Sequence, residues 1–409
     1  MAGLAALISC PPSAADALAE ALAVRGADLA RHRAGPVTLL VRAALPIVHE
    51  VDGCTAVVDG IAELSALLAA YRSRGPAGLL GGAEAYALIL RDPHRRGLVL
   101  ARNGDGPPLY YARSAGGVLV ASEPEALLAA GVPAHPDDEV AAAFLATGAC
   151  DESARTFYAE VRRVLPGQVL AVDAEVTDHT PAAREARRPR PLSARVAVRW
   201  AVGDGRIGVR LSGDAAGAAI LGTALSRGAE LPVYSHRFPG VDDDAVEYAT
   251  ALLGPLPEGA VRHRALPHFA DALDLAGFLA DVGEPLPDLE SYLVWATAKA
   301  TAGEVDALLD AAAPADHLAR LADRVRSRYG VELRFPRCGA AADADWKAIA
   351  RETLPRPVAE RTIVPSAAAL LVRIGPDLAA AMMHGQPEGH ARAAVEELAA
   401  LLGGRRADA

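Results

Sequence analysis

The sequence predicts two domains of different class, an α+β domain followed by an α/β domain built on a parallel sheet. Three observations lead there. Residues 1–178 read as short apolar segments broken by Gly and Pro, with only two clear helical patterns. Residues 179–192 are rich in Pro, Arg and Ala and hold almost nothing apolar to bury, the composition of a linker. From Ser193, residues 193–409 alternate strand patterns with long alanine-rich helices, as a parallel sheet covered on both faces requires.

In the first domain the apolar spacing predicts helices over Ser13–Arg25 and Ile61–Arg74. In the second, Ile207–Leu211 are apolar enough for a buried parallel strand, Ser212 and Gly213 make a sharp exit, and Ala215–Leu225 form a helix of small residues. Leu231–Phe238 is the second strand and Asp243–Leu253 the helix after it. No internal repeat is present. A strand, loop and helix in this order can hold an anion. Here the carboxylate of Asp214 stands where a phosphate wants bare amides, and Ala215–Ala219 offer no hydroxyl.

At 409 residues the chain is long enough for two cores, and 52% hydrophobic with only 4% aromatic residues describes an alanine-rich globular protein. A formal charge of -10 argues against nucleic acid or an anionic membrane as the main partner. Lysine occurs only at 299 and 347, and the basic stretch Arg184–Arg195 reads as part of the solvated linker. Cys10, Cys54, Cys150 and Cys338 follow no metal-site or disulfide spacing, which implies a reduced, cytoplasmic setting. No apolar run reaches the roughly 18 residues of a membrane helix, and the first residues lack the basic start of a secretory signal.

Several motifs occur in a recognisable order. Tyr86–Asp92 (YALILRD), Leu98–Tyr111 (LVLARNGDGPPLYY), Ala121–Glu123, Leu127-Leu128, Thr156-Phe157 and Leu165–Gly167 resemble the amidotransferase half of glutamine-hydrolysing asparagine synthetases. The loop after Leu211 is similar to the SGGxDS signature of their synthetase half, and Gly283–Pro285, Gly330–Pro336 and Lys347 with Arg351, Leu354 and Pro355 continue the order. The resemblance spans nearly the whole chain. It implies an N-terminal Ntn-hydrolase-like αββα sandwich, two antiparallel sheets between helical layers, followed by a parallel-sheet synthetase domain of the nucleotide-alpha-hydrolase type.

The resemblance also implies that the family's chemistry is missing. The nucleophilic cysteine of the MCGIAG start is Ala2, whose methyl group cannot attack a carboxamide. Cys10 follows the strand that would carry a nucleophile and precedes Pro11-Pro12, and reads as an ordinary semi-buried thiol. The NGEI loop that holds glutamine is Asp59-Gly60-Ile61, with its glutamate gone. In the SGGxDS loop only Ser212 and Gly213 match; Asp214 replaces the second glycine, Ala216 the metal-side acid and Gly217 the last hydroxyl. Ser212, Gly213 and Asp214 are thus a remnant of a nucleotide-binding loop. At the place of the GEGADE motif stand Asp310 and Asp316, which read as helix caps or surface acids, and after Leu354-Pro355 Arg361 stands where a lysine is expected.

A replacement site has three candidate residues, His236, His263 and Glu284. With His268 and Asp242–Asp244, the histidines resemble a loose metal cluster, but their spacing matches no standard ligand pattern, so no metal is assigned and a solvated loop at the mouth of the sheet is expected. Three functions stay open. The chain is a pseudoenzyme that pairs with an active ligase or holds a biosynthetic intermediate; or an ATP-independent enzyme that cyclises or hydrolyses a small-molecule or peptide intermediate of bacterial specialised metabolism; or a divergent amide- or lactam-forming ligase similar to β-lactam synthetases and lasso-peptide cyclases. Only the last needs cofactors, ATP and magnesium. A homodimer is compatible with all three.

Overall fold

The computed structural model describes residues 2–51, 53–60, 62–80, 85–104, 106–114, 117–147, 151, 153–173, 175–181, 194–211, 215–226, 231–237, 245–254, 256, 258–268, 274–284, 286, 289–311, 316–335, 346, 348–349 and 351–352. The chain divides into two compact units, Met1–Arg187 with Gly283–Pro285, and Arg188–Val282 with Leu286–Ala409. The expected linker, 179–192, spans this division, and its residues from 182 onward lie outside those described.

The first unit contains β1 (Gly3–Ile8), α1 (Pro12–Ala21), β2 (Asp28–Ala34), β3 (Val37–Ala43), β4 (His49–Val51), β5 (Cys54–Gly60), α2 (Leu64–Arg74), β6 (Tyr86–Arg91), β7 (Leu98–Asn103), β8 (Tyr110–Ser114), β9 (Gly117–Ala121), α3 (Pro124–Ala129), α4 (Asp138–Thr147), β10 (Val161–Arg163), β11 (Gln168–Val172) and β12 (Val176–Asp178). They build two antiparallel six-stranded sheets, ordered β10-β8-β9-β1-β3-β2 and β12-β11-β7-β6-β5-β4. Alternation of side chains along each strand sorts the residues into layers. Leu4, Ala6, Leu39 and Val41 of the first sheet meet Val57, Ala87, Ile89 and Leu100 of the second between the sheets. Their neighbours Ala5, Leu7 and Leu40 face outward onto α1 and α3, and Ala56, Leu88 and Leu90 face outward onto α2. Strands covered on both faces are apolar along their length, which is why the sequence shows runs here rather than alternation.

Helix boundaries differ a little from the periodicity. α1 ends at Ala21 and the chain tightens into a 3₁₀ turn over Leu22–Arg25. α2 starts at Leu64, after Gly60 takes a φ of 103° that a helix cannot contain. Within this unit the carboxylate of Glu284, 1% exposed, accepts from the backbone N–H of Phe157 at 3.1 Å and pairs with Arg163 at 3.3 Å.

The second unit contains α5 (Ala194–Val202), β13 (Ile207–Arg210), α6 (Ala215–Leu225), β14 (Leu231–Arg237), α7 (Ala245–Leu253), β15 (Val261–Pro267), α8 (Leu275–Val282), α9 (Leu289–Thr301), β16 (Ala307–Leu309), α10 (Asp316–Tyr329) and β17 (Glu332–Arg334). Its sheet is parallel throughout, in the order β15-β14-β13-β16-β17. Val209, Leu231, Val233 and Leu309 pack against α5, α6 and α7. Tyr234, Leu308 and Leu333 on the other face pack against α8, α9 and α10, around Phe278 and Trp295. The chain builds β13, β14 and β15 toward one edge, then returns to place β16 on the other side of β13. That reversal makes the carboxyl ends of β13 and β16 a topological switch point, the place where open parallel sheets receive their ligands.

Candidate functional site

Opposite charges meet at this switch point. β13 ends at Arg210 and β16 at Leu309, and because Val209 pairs with Leu309 the next residues, Arg210 and Asp310, lie side by side. The register turns both toward the face covered by α9, since Val209 and Leu309 serve the opposite core. The Arg210 guanidinium is 1% exposed and Asp310 fully buried. Arg210 donates to Asp310 through Nε and through Nη2, the latter at 3.0 Å, and Nη2 also donates to Glu290 in the first turn of α9. Burial works against the Arg210 charge, but Asp310 and then Glu290 more than offset it, so its pKa is raised. The expectation of Asp310 as a cap or surface acid is therefore corrected: it is one half of a buried ion pair, placed there by strand register.

Two histidines stand beside this pair. His236, 1% exposed near the end of β14, contacts His268 through Nδ1 at 2.7 Å and Thr297 of α9 through Nε2 at 3.0 Å. The Thr297 hydroxyl already donates its hydrogen to the Leu293 carbonyl at 2.8 Å, so it accepts from His236. His236 is then protonated on Nε2, and its Nδ1 accepts from His268 Nε2–H. The result is a one-way relay, His268 to His236 to Thr297 to Leu293, in which both rings are neutral. Burial, then Arg210 and His268, hold the His236 pKa well below its ordinary value. Burial lowers that of His268 to about 4. Glu290 and Thr297 are two turns apart on α9, so one helix face supplies both the rim acid and the end of the relay.

The loose histidine cluster and its solvated loop are not what forms. β14 runs through Arg237, so His236 lies in a buried strand, and alternation turns Ser235 and His236 to opposite faces. His263 in β15 pairs in register with Val233 and contacts Ser235 Oγ through Nε2 at 2.7 Å, on the face away from His236. Burial lowers the His263 pKa. Glu284 belongs to the first unit, bonded to Phe157 and Arg163. The three candidates thus occupy three separate settings. Among the described residues no group of three or more His, Cys, Asp or Glu side chains is placed to hold a metal ion. Ser212, Gly213, Asp214, Asp242–Asp244, Lys347 and Arg361 lie outside the described residues, as does the side chain of Asp316.

Arg210, Glu290 and Thr297 escaped the sequence reading. One signal was available: the apolar runs IGV and ALL, which become neighbouring strands, are each followed by a charge, and the two charges are opposite.

In the first unit Ala2 sits at the edge of the core between the sheets, and its backbone N–H donates to Asp59 Oδ1 at 2.7 Å. Asp59, 2% exposed on β5, thus spends one carboxylate oxygen on the chain itself. The Cys10 thiol lies beyond the end of β1 and donates to the Ile8 carbonyl at 3.3 Å. No described helix is long and apolar enough to cross a membrane.

Comparison with known proteins bears on the first unit. Residues 58–181 match the family model of the glutamine amidotransferase domain, under a third of the chain. No curated protein matches. Among solved structures, the chain is similar to an allosteric regulatory enzyme of purine biosynthesis, at 11% identity over 91% of this chain and 92% of that one, with a TM-score of 0.29. It is also similar to glutamine phosphoribosylpyrophosphate amidotransferase from B. subtilis complexed with ADP and GMP, at 12% identity over 89% of this chain and 99% of that one, with a TM-score of 0.30. Neither likeness bears on function at these scores. The first unit carries a glutamine amidotransferase-like domain.

Proposed function

We propose that this chain is a degenerate relative of the glutamine-hydrolysing asparagine synthetases, resembling β-lactam synthetases and lasso-peptide cyclases but with both inherited reactions lost. In this reading it works without ATP or magnesium, as a binding protein for a small-molecule or peptide intermediate of bacterial specialised metabolism. A motif-intact ligase or a second copy of the chain is its natural partner. The observation that carries the reading is the buried Arg210–Asp310 pair at the carboxyl ends of β13 and β16. A triphosphate seeks bare amides and unspent cations. Here the cation is committed to Asp310 and Glu290. Calorimetric titration with magnesium and ATP is the test: no saturable heat is expected, whereas micromolar binding with pyrophosphate release would return the chain to the ATP-dependent ligases.

A second reading, an ATP-independent hydrolase or cyclase, is favoured by one contact. Ser235 Oγ and His263 Nε2 are 2.7 Å apart, the spacing of a nucleophile and its base. Ser235 is fully buried, which sets it apart from an accessible nucleophile. Labelling of Ser235 by a fluorophosphonate would establish that reading, and its absence leaves the binding role.

A further inference from the structure

We infer that a cavity in the first unit, on the outer face of its second sheet, holds the carboxylate of a small organic acid, with Arg95 as the receptor. The cavity has a volume of about 380 Å³, within the roughly 300–1,000 Å³ of small-molecule sites. α2 contributes Tyr71 and Arg72 to its lining, the turn between β6 and β7 contributes Asp92, His94 and Arg95, and β5 contributes Cys54. The site stands whether or not the reading of Arg210 holds. Its wall is fixed before any ligand arrives. The Tyr71 hydroxyl donates to Asp92 Oδ2 at 2.7 Å, and Asp92 Oδ1 accepts from the backbone N–H of His94 at 2.8 Å, so the turn is tied to the last turn of α2. Burial works against the Asp92 charge, but the bonds from Tyr71 and His94 and the nearby cations more than offset it, and its pKa is lowered. Burial, and then the bond to Asp92, push the Tyr71 pKa up, so its hydroxyl stays a donor.

Arg95 is exposed and makes no hydrogen bond or ion pair with any described residue. Its charge is nevertheless felt by Asp92 and by Tyr71, so the guanidinium stands close to the built wall and is unspent. Arg91 and Arg96 beside it, and Arg74 at the end of α2, likewise pair with no described residue, which gives this neighbourhood a positive field in a chain of net charge -10. A guanidinium fork matches a planar carboxylate through two parallel hydrogen bonds. Asp92 is the one acid among the lining residues, and a phosphate dianion would bring a second negative charge against it. A neutral amide offers the fork no charge. The hydrocarbon part of the acid meets the Tyr71 ring and the Cys54 sulfur, the buried members of the wall.

The test is a calorimetric titration of the full chain at low ionic strength with hydrocinnamate, hydrocinnamamide, phenyl phosphate and phenethylamine. Hydrocinnamate should saturate, phenyl phosphate should bind more weakly, and the amide should not bind. Arg95→Gln should weaken hydrocinnamate about tenfold, as the loss of a charge-assisted hydrogen bond predicts. Its thermal midpoint should stay unchanged, because Arg95 is exposed and holds no described residue in place. Arg33→Gln, which removes an exposed arginine from β2 in the other sheet, should leave binding as it was. The inference is overturned by the absence of saturable hydrocinnamate binding, by equal binding of the amide, by phenyl phosphate binding as tightly as the acid, or by equal weakening in Arg95→Gln and Arg33→Gln. It is also overturned by phenethylamine binding that Asp92→Asn abolishes, which would make Asp92 a receptor for amines. Binding of magnesium and ATP with pyrophosphate release, measured separately, would overturn the proposed function without touching the assignment of Arg95.

Discussion

Arg210 is an arginine inside an apolar strand, and a single residue of that kind forces its surroundings to answer it. A guanidinium that is 1% exposed requires a carboxylate, and Asp310 on the next strand supplies one. Replacing Asp310 by Ala should cost about 3–5 kcal/mol in urea unfolding, because a buried charge loses its fixed partner. Adding Arg210→Met to Asp310→Leu should recover most of that loss, since a well-packed apolar pair is comparable in stability to a buried ion pair. The histidine relay gives a pH dependence with a definite sign. His268 titrates at about 4 in the folded chain against 6.5 for the ordinary group, so the unfolded chain binds the extra proton first. Stability is complete above about pH 6.5 and falls as pH drops toward 4, by about 1.4 kcal/mol per pH unit for one proton. His236 adds to the fall in the same direction. A midpoint in urea that stayed constant between pH 7 and 4.5 would contradict this. The sequence grouped His236 with His268 but did not show Arg210 meeting Asp310, because residues 100 positions apart meet only once the strand order is known.

At the level of elements the sequence was more informative. The Ile207–Leu211 run and the small-residue helix Ala215–Leu225 form as β13 and α6, since an unbroken apolar run suits a strand covered on both faces. The strand expected over Leu231–Phe238 forms as β14, Leu231–Arg237, but the solvated setting expected for its histidine does not, because His236 is buried against α9. Glycines in the amidotransferase-like motif have a steric meaning that spacing alone does not show. A Cβ on Gly106 would lie 2.3 Å from the carbonyl oxygen of Tyr86, so the chain after β7 passes too close to β6 for any side chain. Gly106→Ala should therefore destabilise the first unit by about 1–3 kcal/mol, read as a lowered midpoint of thermal unfolding. An unchanged midpoint would show that the chain segment yields instead.

For the molecule as a whole, each unit holds extensive apolar cores of its own, so the packing that keeps it folded does not depend on any catalytic residue. On the proposed reading, a cysteine at position 2 alone does not confer activity: Ala2→Cys is expected to release no ammonia from glutamine, because Asp59 already binds the backbone of residue 2. Steady ammonia production by that variant would show the pocket to be intact. The change from antiparallel sheets to a parallel one was legible from the change in apolar patterning; the meeting of β13 with β16 was not, since it arises from strand order.

The relay from His268 to Leu293 has one further consequence. Each imidazole hydrogen in it is assigned to an acceptor, and at the far end, among the described residues, stands a carbonyl inside α9. Those hydrogens should therefore trade with heavy water far more slowly than those of exposed imidazoles, leaving two persistent downfield proton resonances that vanish together when Thr297 is replaced by Val.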